Sequence, residues 1–169
     1  MKLEMYYDYA CPYCLTGHEY LLDVLKEYPG VEMVWLPCEA HPRPEVYGRY
    51  SDLCARGMYL AADLGVDLMA YHNLMYKVAL AKQVDIMDAA ALAEALKELA
   101  EPSKLAEGLS GDKYVDVLDE NNTQVWDVHD CPAVPSFRNA ETGALLKSVP
   151  GVGVTKEQLA DFIKGGLGK

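Results

Sequence analysis

No run of apolar residues in this chain approaches the roughly 20 that a membrane-spanning helix needs. Basic residues are scarce. Fifteen Lys and Arg stand against 26 Asp and Glu, a formal net charge of -11. Such a surface repels phosphate backbones, which excludes nucleic acid as a partner. It favours solubility and neutral or basic partners. The N-terminus lacks the charged start, apolar stretch and small-residue cleavage site of a secretory leader, so none is expected. No internal repeat and no low-complexity linker interrupts the sequence. Cysteine is present in odd number, five, in a chain that is 51% hydrophobic. A chain of this kind builds a core without staples. A disulfide framework is therefore not expected, and the compartment implied is the reducing cytoplasm.

What is present has an ordered pattern. The 169 residues fit one domain, 1–169, carrying an insertion. "LEMYY" (Leu3–Tyr7) reads as a buried strand. A helix follows from Cys11 or Pro12, because proline suits a first helical position, and Pro29-Gly30 ends it. "VEMVWL" (Val31–Leu36) is a second strand, completing a β-α-β unit. Over 50–110 apolar residues recur at three- and four-residue spacing, which predicts an all-helical insertion. Asp88 is the expected N-cap of its last helix. A further helix is expected over Asp112–Val125. "AVPSFRN" (Ala133–Asn139) and "ALLKSVP" (Ala144–Pro150) read as a hairpin. A last helix opens with a capping box, Thr155 to Gln158. The order β-α-β, helices, β-β-α predicts an α/β thioredoxin-like fold with a helical insertion.

The chemistry-bearing stretch is "DYACPYCLTG", Asp8 to Gly17. Its C-x-x-C opens a helix directly after a strand. A helix N-terminus presents unpaired N–H groups and partial positive charge, which stabilise a thiolate. Cys11 is then the exposed nucleophile. Cys14, nearly one turn further in, is the resolving thiol. A zinc knuckle needs two more ligands, and no second C-x-x-C exists. No metal site is expected. Pro135 stands oddly before a predicted strand. In thioredoxin-like proteins such a proline is cis and packs beside the cysteine pair; the alternative is a trans proline on an edge strand. Val134 would offer backbone groups to a substrate strand.

"DYACPYCLTGHEYLLDVL", "VWLPCEAHPRP" and "AVPSF" resemble the signatures of DsbA-family thiol–disulfide oxidoreductases, in particular the FrnE-like branch. The resemblance extends over essentially the whole chain. It implies a disulfide oxidoreductase with Cys11 and Cys14 as its dithiol, Pro135 as the cis-proline, and Pro12, Tyr13 and Val134 beside the substrate. It implies no metal or organic cofactor. Pro12-Tyr13 is the dipeptide typical of glutaredoxins, which makes glutathione a possible co-substrate. Protein or low-molecular-weight disulfides and thiols are the implied partners.

Three singleton cysteines depart from the pattern or stand outside it. Cys38 stands where the branch usually has phenylalanine, and Cys131 where a small apolar residue precedes the V-P turn. Each is either a second redox thiol or, like Cys54, a filler of an apolar slot. His18 is expected to face solvent. Glu39 is a candidate acid for proton transfer to Cys14, and Asp8, if near Cys11, would raise its pKa. Two other readings stay open: a kappa-like glutathione-dependent transferase or isomerase on the same fold, and a non-catalytic binding module.

Overall fold

The computed structural model describes residues 1–168. Strand β1 (Lys2–Tyr7) lies inside the sheet, and Leu3, Met5, Tyr6 and Tyr7 on it are all buried. It is followed by α1 (Pro12–Leu25) and β2 (Glu32–Pro37). β1 and β2 run parallel, with Lys2 opposite Glu32 and Tyr7 opposite Pro37. β3 (Ser136–Asn139) returns antiparallel to β1, and the short β4 (Leu145–Leu146) pairs antiparallel with β3. The sheet order is β2-β1-β3-β4. Glu4 and Arg138 face each other across β1 and β3 and form an ion pair at 2.9 Å.

Between β2 and β3 run α2 (Asp52–Asp63), α3 (Leu68–Ala81), α4 (Ala89–Ala95), α5 (Pro102–Ser110) and α6 (Val115–Asn122). Asp88 caps α4 by accepting from the Ala91 N–H. α6 passes into a π-helix, Thr123–Val128, in place of the single helix expected over 112–125. The break at its start follows from Tyr114, whose left-handed φ of 66° separates α5 from α6. α7 (Lys156–Gly166) closes the chain, with both halves of the Thr155–Gln158 capping box in place. It packs against α1.

The hairpin strands are shorter than expected. β3 begins only after Pro135, which has no N–H to give the ladder. Beyond β4 the backbone leaves the ladder, and Ser148 is held by side-chain bonds instead: its N–H donates to Ser136 Oγ, and its hydroxyl donates to the Pro135 carbonyl.

Candidate functional site: a dithiol at the N-terminus of α1

The site forms where β1 hands over to α1. After Tyr7 the chain turns, and the Cys11 N–H donates to the Asp8 carbonyl at 3.1 Å. Cys11 takes the N-cap position with extended backbone, and Pro12 occupies the first turn. No side chain caps this end. The first-turn N–H groups are left for the Cys11 sulfur. Cys11 is half-buried and Cys14 wholly buried.

The two thiols are driven apart electrostatically. The Cys11 pKa is lowered, chiefly by a hydrogen bond from the Cys14 thiol. Burial opposes this, the Cys14 and Tyr13 N–H groups add to it, and the Asp8 charge opposes it. The Cys14 thiol is pushed well up, first by burial, then by its bond to Cys11 and the Cys11 charge. The Asp8 N–H points at Cys14 Sγ at 3.4 Å. Ionisation is thus eased at Cys11 and resisted at Cys14.

The predicted neighbours assemble around the pair. The Val134–Pro135 bond is cis. Cys11 Sγ lies 3.8 Å from the Val134 carbonyl oxygen. The Pro135 ring packs on α1 at Gly17, where an added Cβ would lie 2.6 Å from Pro135 Cγ. Gly17 is therefore part of the site, because only its bare backbone lets the ring approach. Tyr13 leans across to the following loop; its hydroxyl donates to the Gly151 carbonyl at 3.0 Å. Over Cys11 opens a cleft of about 190 Å³, lined among others by Asp8, Tyr13, His41, Tyr47 and Arg49.

Asp8 is buried rather than a loose neighbouring charge. Its two oxygens accept from the Ala10 and Ala40 N–H groups, each at 2.9 Å. It thereby ties the cysteine turn to the segment after β2. Burial raises its own pKa, and its charge raises that of Cys11.

His18 does not face solvent. It is 2% exposed, because it sits four residues after Cys14 on the same inward face of α1. Its ring packs among Trp35, His72 and Tyr76, with centroids 5.3 to 5.6 Å away. Burial lowers its pKa to about 4, and that of His72 to about 3. Beside these run three hydrogen bonds: His72 Nδ1 to Tyr9 Oη at 2.8 Å, Tyr9 Oη to Tyr7 Oη at 3.1 Å, and Tyr7 Oη to Met58 Sδ at 3.1 Å. Each hydroxyl has one proton, so all three bonds are satisfied only if His72 Nδ1–H donates to Tyr9, Tyr9 to Tyr7 and Tyr7 to the sulfur. That assigns the neutral Nδ1–H tautomer to His72. Sequence reading had no signal for this cluster, since Tyr71, His72 and Tyr76 arrive from α3.

Glu39 makes no hydrogen bond to Cys14. Its carboxylate accepts from Asn122 Nδ2 at 3.2 Å, and its backbone carbonyl from Trp126 Nε1 at 2.9 Å. Cys38, Cys54 and Cys131 are each at most 5% exposed, and burial raises the pKa of all three. Among the described residues no group of three His, Cys, Asp or Glu side chains could hold a metal ion, and no helix is long and apolar enough to cross a membrane.

Known proteins of this shape carry the same arrangement of elements. A probable DsbA oxidoreductase from Streptomyces coelicolor superposes with a TM-score of 0.80 at 16% identity, covering 100% of this chain and 91% of that one. A thioredoxin-like oxidoreductase from Silicibacter pomeroyi gives 0.73 at 18% identity, over 99% and 87%. The cytosolic disulfide reductase DsbM from Pseudomonas aeruginosa, solved with GSH, gives 0.72 at 14% identity, over 100% of both chains. At these identities the likeness is one of fold. No curated protein sequence matches the chain. Residues 2–129 match the model of the DSBA-like thioredoxin domain, so the span from β1 through the π-helix carries the family's sequence pattern, and the chain belongs to that family.

Proposed function

We propose that this protein exchanges disulfides with protein or glutathione mixed disulfides through Cys11 and Cys14. The observation that supports this most is the opposed pair of thiol environments: Cys11 at the rim, where its ionisation is eased, and Cys14 sealed, where ionisation is resisted.

The steps balance as follows. The Cys11 thiolate attacks one sulfur of a substrate disulfide; a Cys11–substrate disulfide forms, and the other half leaves as a thiolate that takes up a proton. Cys14 then loses its proton and attacks the Cys11 sulfur. The remaining substrate thiol is released, and the Cys11–Cys14 disulfide holds the oxidation. Two electrons have passed to the substrate. Two glutathione thiols, oxidised together to their disulfide, return the pair to the dithiol. The reverse sequence would oxidise a substrate dithiol.

In this reading the Val134 backbone and the Pro135 ring receive the substrate segment beside Cys11, with Pro12 and Tyr13 on its other side. Both electrons come from sulfur, so exchange runs without a bound cofactor, glutathione acting as co-substrate. The likeness to a cytosolic disulfide reductase favours a cytoplasmic protein.

The test is a trap. In Cys14→Ser the resolving step is gone while Cys11 can still attack. The serine hydroxyl is close in size and can take up the Asp8 N–H. Mixed disulfides on Cys11, with glutathione or proteins, should accumulate and vanish on reduction; Cys11→Ser should show none. A Cys14→Ser protein with no adduct on Cys11 by mass spectrometry sinks dithiol exchange. Glutathione addition to an electrophile would then favour the kappa-like transferase.

A further inference from the structure

Glu39 is built unlike a surface carboxylate. It follows β2 directly and is 6% exposed. Oε1 has the Asn122 amide, but Oε2 is buried with no hydrogen-bond partner. Burial, with smaller contributions from Asp52 and Asp8, raises its pKa to about 7 against the Asn122 bond. A buried carboxyl oxygen without a partner is costly in either protonation state, and native structures rarely leave one so unless something fills it.

Glu39 lines a cavity of about 670 Å³. One wall is α6 and the π-helix, which contribute Leu118, Asp119, Trp126 and Asp127. π-helical turns occur frequently at functional sites. Two arginines also line the cavity. Arg43 Nη1 is paired with Asp52 Oδ1 at 3.1 Å. Arg56 donates from Nε to the Lys113 carbonyl at 2.9 Å and from Nη2 to the Gly111 carbonyl at 2.7 Å. Among the described residues Asp119 and Asp127 have no ion pair. Four carboxyl groups, Glu39, Asp52, Asp119 and Asp127, line the cavity against Arg43 and Arg56, so its charge is negative on balance, set on a partly apolar wall. That complements a cation on an aliphatic arm.

The cavity adjoins the dithiol. Ala40 lines both it and the cleft over Cys11, and the Ala40 N–H is held by Asp8. Both openings lie beyond the carboxyl ends of β1 and β2, where open α/β sheets bind ligands.

We propose that this cavity is a subsite for a protonated amine or guanidinium carried by the disulfide substrate, received by Glu39 Oε2 with Asp119 and Asp127 at the rim. The substrates are then cationic disulfides in preference to anionic ones. This rests on the exchange function proposed above.

The probe is agmatine, which carries both cationic groups and no sulfur, so its binding does not depend on dithiol chemistry. In a Trp35→Phe background Trp126 is the sole indole, and it lines the cavity. Agmatine should change Trp126 emission saturably. Glu39→Gln keeps the side-chain volume and the Asn122 bond, and should weaken binding about tenfold, the worth of one charge-assisted bond. Asp119→Asn, at an exposed rim position, should weaken it about twofold to threefold and serves if the first variant folds poorly. The substrate arm compares a disulfide peptide bearing Arg with its Glu counterpart. The Arg peptide should be reduced about tenfold faster, and Glu39→Gln should shrink that ratio towards one. No saturable change, or equal affinity in wild type and both variants, overturns the site. Agmatine binding without any charge preference among disulfides overturns its assignment to substrate. Failure of the Cys14→Ser trap with agmatine binding intact would instead sink the exchange reaction alone.

Discussion

The first turn of α1 and the turn below it share one helix but have opposite surroundings. Around Cys11 the groups are donors: the N–H groups of Tyr13 and Cys14, and the Cys14 thiol. The cleft above is lined by charged and polar side chains. Around Cys14 and His18 the surroundings are rings: Trp35, His72 and Tyr76 about His18, with Tyr7 and Tyr9 stacked edge-on beyond. In the first setting a charge is welcomed; in the second it is expelled. The Cys11 pKa is lowered for that reason, while that of Cys14 is raised and both histidines stay neutral near pH 7. A dithiol enzyme needs this asymmetry, because an attacking sulfur and a waiting sulfur must not be interchangeable.

The sharpest way to break the comparison is to ask the two sulfurs to react. Brief alkylation at pH 7 with limiting iodoacetamide should label Cys11 at least about 100-fold faster than Cys14, from thiolate fraction and access together. Cys38, Cys54 and Cys131 should stay unlabelled in the native protein, since burial keeps them protonated. Peptide mapping that finds Cys14 or Cys54 labelled first would reverse the assignment of nucleophile and core.

A smaller but still large effect separates the two regions by pH. In the unfolded chain His18 binds a proton below about 6.5; in the folded protein it stays neutral down to about 4. Between those values the unfolded state holds more protons, so the stability present above pH 6.5 is lost as pH falls towards 4. Moving one histidine from 6.5 to about 4 is worth on the order of 3 kcal/mol. His72 adds a further loss, running down to about 3. Glu39 works in the other sense: raised from 4.5 to about 7, it takes up its proton first in the folded state and favours folding as pH falls through that window. It is common to wild type and variant and cancels in their difference. His18→Phe fills the same aromatic space without the titration. In urea unfolding its stability relative to wild type should rise by about 3 kcal/mol between pH 7 and pH 4. Parallel curves for the two proteins would show that His18 is not held neutral inside.

These two regions were not equally legible in the sequence. The rim was written locally. Pro12 after Cys11, β-formers before it and Gly17 shortly after it lie within a dozen residues, and the capping signals at Asp88 and Thr155 are equally short-range. The aromatic region was not. The expectation that His18 faces solvent fails because its spacing from Cys14 puts it on the same buried face of α1. Tyr71, His72 and Tyr76 come from α3, more than 50 residues later, and nothing local marks which helix face meets α1. Asp8 and Glu39 illustrate the same limit. Their burial depends on Ala40, Asn122 and Trp126, brought together only by the crossing of chain after β2. At the end of the π-helix the His129 N–H donates to the Gln124 carbonyl and the Cys131 N–H to the Val125 carbonyl, a pattern that no residue type here signals.

The smallest predicted effect lies on the boundary of the two regions, at Gly17. Alanine there would gain about 0.5–1 kcal/mol in helix propensity. Its methyl, however, would sit 2.6 Å from Pro135 Cγ, a ring that cannot rotate out of the way. Overpacking of this kind costs about 1–3 kcal/mol. The net should be a loss of about 1 kcal/mol, read as a lower urea midpoint at unchanged slope. Activity should fall further than stability does. The ring can yield only by moving with Val134, whose carbonyl lies 3.8 Å from Cys11 Sγ, so kcat/KM for a disulfide substrate should drop about tenfold while the fold persists. Gly30→Ala is the control, because nothing lies within 4 Å of a Cβ at that position and no effect beyond about 0.5 kcal/mol is expected. If Gly17→Ala matches Gly30→Ala in both stability and kcat/KM, Pro135 does not seat against α1, and the substrate segment is not positioned by this contact.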